Sequence, residues 1–301
     1  MSLLSQGIGV VRTTPWLGRW ALRALPDMRW KINVHPIGRM EIRLRRDRNS
    51  WLRSPILSDG FMLGALQRLT RRGDVVYDIG ANIGIYSRFM VQEFGAGRVY
   101  AFEPVAGNYP RLVKNLEIGG CGDRAQALQL AIGDEDGLVD FQSDDTSALT
   151  GALDSVNHGT ASRNRVQYHL PPQLEKVRVA RLDTVIRERG LATPDVIKLD
   201  VEGAEAMALR GARKLLDEGK PHWVIELHSG PLGVEVLEIL WKYGYHCFGY
   251  LQSRTGREYR EMTAADLPVI RDEYALRYLA ASIDGKGLEA PIQDPEWIPK
   301  A

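Results

Sequence analysis

The run Val75-Val76-Tyr77-Asp78-Ile79-Gly80-Ala81-Asn82-Ile83-Gly84 constrains the fold of this chain more than any other stretch. β-Branched residues end in an acid, a glycine turn follows, and apolar residues at Ile85, Phe89, Met90 and Phe94 continue at helical spacing. A buried strand, a tight loop and a helix start in succession bring backbone close to a nucleotide-like ligand. Gly80 and Gly84 permit the turn and a close approach because neither carries a Cβ. Asn82 stands where a G-x-G-x-x-G fingerprint needs glycine, and no Lys-Ser/Thr pair follows as in a P-loop. A carboxylate at Asp78 would repel a phosphate and suits a cationic ligand with a free amino group better. Asn82 fits either a left-handed turn or a ligand contact.

From Asp74 onward strands and helices alternate, which predicts an α/β fold: a mainly parallel sheet with helices on both faces. The pattern places strands at 75–79, 98–103, 127–132, 195–200 and 222–227. Helices fall at 84–94, 105–118, 182–189, 203–218 and 231–243. Val139–Phe141 reads as a short extended piece and Val177–Val179 as a further strand. Tyr245–Leu251 and Leu276–Ala281 read as a closing antiparallel pair. Ahead of the glycine loop come an apolar helix at Gly60–Leu69 and a half-exposed hairpin, Ile32–Val34 with Met40–Leu44.

Residues 1–30 mix Trp16, Trp20 and Trp30 with Arg12, Arg19, Arg23 and Arg29. Such a helix packs on its own domain or makes peripheral contact with a membrane surface. Residues 143–174 are polar and aperiodic, and their position after the third strand suggests a lid over a substrate mouth, with His158 and His169 exposed. Residues 284–301, with Pro291, Pro295 and Pro299, read as a tail with little structure of its own. The expected organisation is therefore an extension over 1–54, one domain over 55–283 and a tail over 284–301.

At 301 residues the chain can bury a large single core. A net charge of +1 gives no reason to expect a nucleic acid partner. Cys121 and Cys247 make no metal-ligand pattern and read as reduced thiols of a cytoplasmic protein. No run reaches the ~18 apolar residues of a transmembrane segment, and Arg12, Arg19 and Arg23 interrupt any signal-peptide core. An oligomer is left open.

Glu103 closes the second strand about twenty residues beyond the glycine loop, where an acid accepts from both ribose hydroxyls of an adenosine ligand. The same acid would serve a nicotinamide dinucleotide. Ala131-Ile132-Gly133-Asp134 closes the third strand, where an adenine ring would sit; Asp134 accepts from its amino group or caps the turn. Asp200, Glu202 and Glu205 put three carboxylates within six residues at the carboxyl end of a strand, where open α/β sheets bind ligands. Glu205 in a first helical turn is alternatively a dipole partner. Glu226 and His228, two apart on the next strand, face the same way and border an acceptor pocket.

Taken in order, Asp78–Gly84, Phe102-Glu103-Pro104, Ala131–Asp134, Leu182-Asp183-Thr184 and Ile197–Glu205 resemble the motifs of the FkbM family of S-adenosylmethionine (SAM) methyltransferases over roughly residues 55–250. The Lys-x-Asp-Val-Glu-Gly-x-Glu run is the most specific part. The resemblance implies a Rossmann-like class I fold with a seven-stranded sheet. It also implies methylation of a hydroxyl on a small-molecule or glycan acceptor, with S-adenosylhomocysteine (SAH) as product. By position, Asp78, Gly80 and Glu103 match the cofactor motifs, with Asn82, Gly84, Ile132 and Asp134 beside them. Asp200, Glu202 and Glu205 match the acidic motif.

An alcohol needs its proton accepted as the new bond forms, so Asp200, Glu202 and His228 are the candidate bases. Glu205 and Glu226 are expected to bind the substrate, Glu226 alternatively orienting the histidine. No metal is expected, because nothing in the spacing demands one, although an ion held by Asp200 and Glu226 is another route to an alkoxide. The alternatives are a nicotinamide-dependent oxidoreductase, which leaves the 200–205 acids idle, and a SAM-binding module without catalysis.

Overall fold

A computed structural model describes residues 28–44, 47, 60–143, 151–153, 173–253 and 256–295. The expected N-terminal helix, most of the expected lid with His158 and His169, and residues 296–301 lie outside the described residues.

The centre is an eight-stranded sheet. Five strands run parallel, β3 (Val75–Ile79), β4 (Arg98–Phe102), β5 (Ala125–Leu128), β10 (Val196–Leu199) and β11 (His222–Glu226), in the spatial order β11-β10-β3-β4-β5. Beyond β11, β14 (Tyr278–Ser282) inserts antiparallel between β11 and β12 (His246–Ser253), and β13 (Gly256–Glu261) adds an outer edge. The expected closing pair is thus present, and one strand beyond the expected seven comes from β13. Its charged sequence, Arg257-Glu258-Tyr259-Arg260-Glu261, hides a strand signal but suits an edge exposed to water.

Alternate strand residues feed two cores on opposite faces, as a sheet covered on both sides requires. Tyr77, Ile197, Trp223 and Ile225 pack with α4 (Leu182–Arg189), α5 (Glu205–Arg210) and α6 (Gly230–Lys242). Val76, Val99, Val196 and Val224 pack with α1 (Gly60–Leu69), α2 (Ile85–Gln92) and α3 (Tyr109–Ile118). The described part of the N-terminal region joins this second core. Hairpin β1 (Arg29–Val34) and β2 (Gly38–Arg43) buries Ile37, Met40 and Ile42 there. Buried Arg88 donates to the carbonyls of Ile37 and Arg39, and Asn115 brackets the backbone of Glu41 from both sides (2.7 and 3.0 Å).

Three expectations change in detail. The strand expected at 127–132 divides, because after β5 the chain leaves the main sheet and β6 (Ala131–Ile132) pairs instead with β9 (Gln173–Ala180). Together with β7 (Gly137–Ser143) and β8 (Gly151–Leu153), they form a second sheet, β6-β9-β7-β8, so part of the expected lid segment is strand. The helix expected at 203–218 is interrupted after Arg210 at Gly211, where a Cβ would lie 1.9 Å from the carbonyl of Gly133, and Leu215–Gly219 follows as a wider helical turn.

The third change concerns residues 284–295, which carry no helix or strand yet pack firmly. Leu288 and Ile292 are buried, Tyr259 and Tyr250 donate to their carbonyls, and Arg68 donates to those of Ala290 and Pro291. Among the described residues no helix is long and apolar enough to cross a membrane. A short helix α7 (Leu267–Glu273) precedes β14.

Candidate active site

The carboxyl ends of β3, β4, β10 and β11 carry every residue that the acidic and glycine motifs contribute. Gly80, Asn82 and Gly84 all take left-handed backbone angles (φ 79, 51 and 88°). At Gly80 the close approach is internal, because a Cβ there would lie 1.8 Å from the carbonyl of Asp200. Gly84, at the start of α2, is pressed by Leu112, 2.8 Å from where its Cβ would be.

Glu103 at the end of β4 is buried and faces this loop. Its Oε2 accepts from the Asn82 N–H (2.9 Å), and its Oε1 accepts from the Val105 N–H (3.0 Å) and the Asn108 amide (3.4 Å). Burial pushes its pKa up to about 7, against the opposing pull of the Val105 and Asn82 N–H groups. A carboxylate offers about four acceptor positions, so the second site of Oε2 can still take a hydroxyl. That free acceptor position fits a ribose hydroxyl of an adenosine ligand.

Asp78 is placed differently from expectation. Its carboxylate is fully buried, accepting from the Ser87 hydroxyl (2.6 Å) and paired with Lys198 (3.1 Å), so it faces inward and does not present itself to a cationic ligand. Lys198 was legible only as part of the Lys-x-Asp run. A lysine inside the apolar strand Val196–Leu199 was the available signal, because a buried ammonium needs partners. It donates to the Gly80 carbonyl (2.8 Å), lies 3.5 Å from Asp200 and stands over the Tyr86 ring. Burial alone would lower its pKa, but Asp78 and Asp200 outweigh that and raise it.

Ile132 and Asp134 do not come forward as free ligands. Ile132 belongs to the core, and Asp134 is taken by Arg210 of α5 at 2.9 Å.

Asp200, Glu202, Glu205, Glu226 and His228 do converge. The His228 Nδ1 lies 2.7 Å from Glu205 Oε1, while its Nε2 is 3.7 Å from Asp200 and 3.5 Å from Glu202. Glu205 has no exposed surface and also accepts from the Gly203 N–H, so it orients the ring and does not face a substrate, contrary to expectation. Burial alone would lower the pKa of His228. The hydrogen bond to Glu205 and the charges of Glu202, Glu205 and Asp200 prevail and push it up to about 10. So shifted, the ring holds its proton at neutral pH, which argues against the expected role as base. Asp200 and Glu202, whose side chains are 24% and 17% exposed, are the open members of the group. Glu226 pairs with Arg277 (2.9 Å).

The pattern of the Methyltransferase FkbM domain matches residues 78–247. The chain is 32% identical over 194 residues to the 31-O-demethyl-FK506 methyltransferase FkbM of Streptomyces tacrolimicus, covering 58% of this chain and 74% of that one. It is 28% identical over 154 residues to the 2-O-methyltransferase NoeI of Sinorhizobium fredii, covering 49% and 61%. A crystal structure of the methyltransferase FkbM from Methylobacillus flagellatus is similar at 17% identity with a TM-score of 0.44, over 70% of this chain and 43% of that one.

Proposed function

This chain belongs to the Methyltransferase FkbM domain family of SAM-dependent methyltransferases, and we propose that its acceptor is a hydroxyl oxygen on a small molecule or glycan. Membership does not favour the nicotinamide alternative. The names of two relatives support an oxygen acceptor, a 2-O-methyltransferase and a 31-O-demethyl-FK506 methyltransferase, and at 23% identity the hexuronic acid methyltransferase AglP of Haloferax volcanii supports a sugar.

The observation that carries the reading is the clasp between Glu103 and the Asn82 N–H, beside an acidic edge only one strand away on the other side of β3. Bound SAM supplies an activated methyl group on a sulfonium. Glu103 accepts from the ribose hydroxyls. Gly80, Asn82 and Gly84 shape the loop that the cofactor lies against, and Asp78 acts on it through Lys198, which fixes the Gly80 carbonyl. As the carbon–oxygen bond forms and the carbon–sulfur bond breaks, the hydroxyl proton passes to one carboxylate, that of Glu202 or of Asp200 beside it. Alignment of the acceptor with the methyl group supplies much of the rate.

The test is twofold. SAH should raise the melting temperature by binding the native state, and NAD should not. Incubation with radiolabelled SAM and a panel of free sugars, glycans and hydroxylated metabolites should transfer label to an alkali-stable ether. Stabilisation by NAD and not by SAH would overturn the cofactor. Label found only in alkali-labile esters or on amines would overturn the oxygen-ether assignment.

A further inference from the structure

The geometry points to a divalent transition-metal site at Asp200, Glu226 and His228, with Glu205 holding the histidine from behind. One donor atom from each of the three lies within 4.8 Å of the others. An ion of the manganese-to-zinc series forms bonds of about 2.0–2.2 Å, so neighbouring ligands stand about 3.0–3.5 Å apart. Closing from a spacing of up to 4.8 Å takes carboxylate rotations that bring the donors about 1–2 Å closer.

The histidine supplies a second, independent sign. His228 is only 6% exposed. Its Nδ1 is committed to Glu205 at 2.7 Å, which orients the ring and aims Nε2 at the acids. That nitrogen finds Asp200 at 3.7 Å and Glu202 at 3.5 Å, both longer than a hydrogen bond. On a largely buried ring, Nε2 faces these carboxylates beyond hydrogen-bond distance and can take a further ligand. A histidine whose other nitrogen donates to a buried carboxylate is also how proteins orient a metal-binding imidazole.

The donor set is one nitrogen, the Nε2 whose proton the ion displaces to solvent, and two carboxylates, with no sulfur. It favours manganese, iron, cobalt or zinc over calcium or magnesium, which prefer oxygen alone. The ion would sit beside the hydroxyl assigned to the acceptor, where a Lewis acid holds the oxygen and eases loss of its proton, leaving Glu202 to take that proton. This role rests on the methyl-transfer reading. The binding itself does not.

The experiment titrates manganese chloride into the full-length, chelator-stripped protein by calorimetry, with the free ion followed by electron paramagnetic resonance. SAH binding is measured on the same samples. One manganese per chain is expected. Glu226→Gln and His228→Gln should each weaken it by tenfold or more, and Glu205→Gln by about 10–100-fold as a positioning residue. Each variant is checked by thermal melting, with Asp200→Asn in reserve where one fails to fold.

Absence of saturable binding up to about 1 mM, a free energy near 4 kcal/mol, overturns the site, as does undiminished binding in both Glu226→Gln and His228→Gln. SAH binding without manganese binding removes the metal site and leaves the cofactor reading intact. Manganese binding without SAH binding does the reverse.

Discussion

Lys198 and Asp78 occupy the same rung of neighbouring parallel strands, and the ammonium stands 3.1 Å from the carboxylate with both side chains buried. The pair joins the glycine loop to the acidic edge, because the same ammonium also bonds the Gly80 carbonyl and lies 3.5 Å from Asp200. Removing one partner of a buried pair leaves an uncompensated charge, at a cost of about 3–5 kcal/mol. Lys198→Met should lose stability in that range by urea denaturation and weaken SAH binding in whatever remains folded. A loss below about 1 kcal/mol, the scale of an exposed ion pair, would show that the pair does not hold the loop.

Glu103 makes cofactor binding depend on pH. Its folded-state pKa, about 7, lies above the ordinary 4.5, so the folded protein holds the extra proton between those values. This group's contribution to stability is therefore complete below the lower value and is lost as pH rises through about 7. Ribose hydroxyls want the ionised form. SAH affinity should thus fall as pH drops below about 7, by up to about tenfold per unit, and Glu103→Gln should flatten the profile while weakening binding. Equal wild-type affinities by calorimetry at about pH 6 and about pH 8 would contradict this linkage.

Turnover and cofactor affinity should separate at Glu202. A general base contributes about 10²–10⁴-fold, all of it in the transition state. Glu202→Gln should lower kcat in that range with SAH affinity nearly unchanged. A kcat within about threefold of wild type, far short of that range, would move the base to Asp200.

Two glycines with left-handed backbones should respond unequally to alanine. At Gly122 nothing lies within 4 Å of the new Cβ, so only the backbone preference is lost, about 1–2 kcal/mol. At Gly80 the Cβ meets the Asp200 carbonyl at 1.8 Å, adding overlap that costs about 1–3 kcal/mol more and displacing the acidic edge. Gly80→Ala should therefore be the less stable variant in denaturant, and the one that loses SAH binding. Equal midpoints would refute the internal contact.

Deleting the buried side chains of the C-terminal segment should cost what a core position costs. Leu288→Ala and Ile292→Ala are each expected to lose about 2–5 kcal/mol, since both residues pack into the second core. Differential scanning calorimetry on the two variants checks it, and unchanged melting would show the segment to be merely apposed.

The sequence made local features legible and paired ones less so. Strand, loop and helix around Asp78–Gly84 follow from consecutive residues, and so does the position of Glu103. What Asp78 does depends on the register that sets it opposite Lys198, two strands whose residues are more than a hundred positions apart. The same holds for Glu205. Its place in the first turn of α5 was readable, but its contact with His228 arises only when β11 ends beside that helix. The strand read as 127–132 divides because β6 finds its partner some fifty residues later in β9.

Among the described strands, β14 is the last in the chain, yet it lies inside the sheet between β11 and β12. Synthesis from the N-terminus therefore completes β12 and β13 before the strand that joins them to the rest exists. Throughout that interval β11 presents a bare edge of amide and carbonyl groups, the kind that pairs with any extended chain nearby. A ribosome holding this nascent chain carries five parallel strands and an orphaned hairpin, and only the emergence of residues 278–282 makes them one sheet.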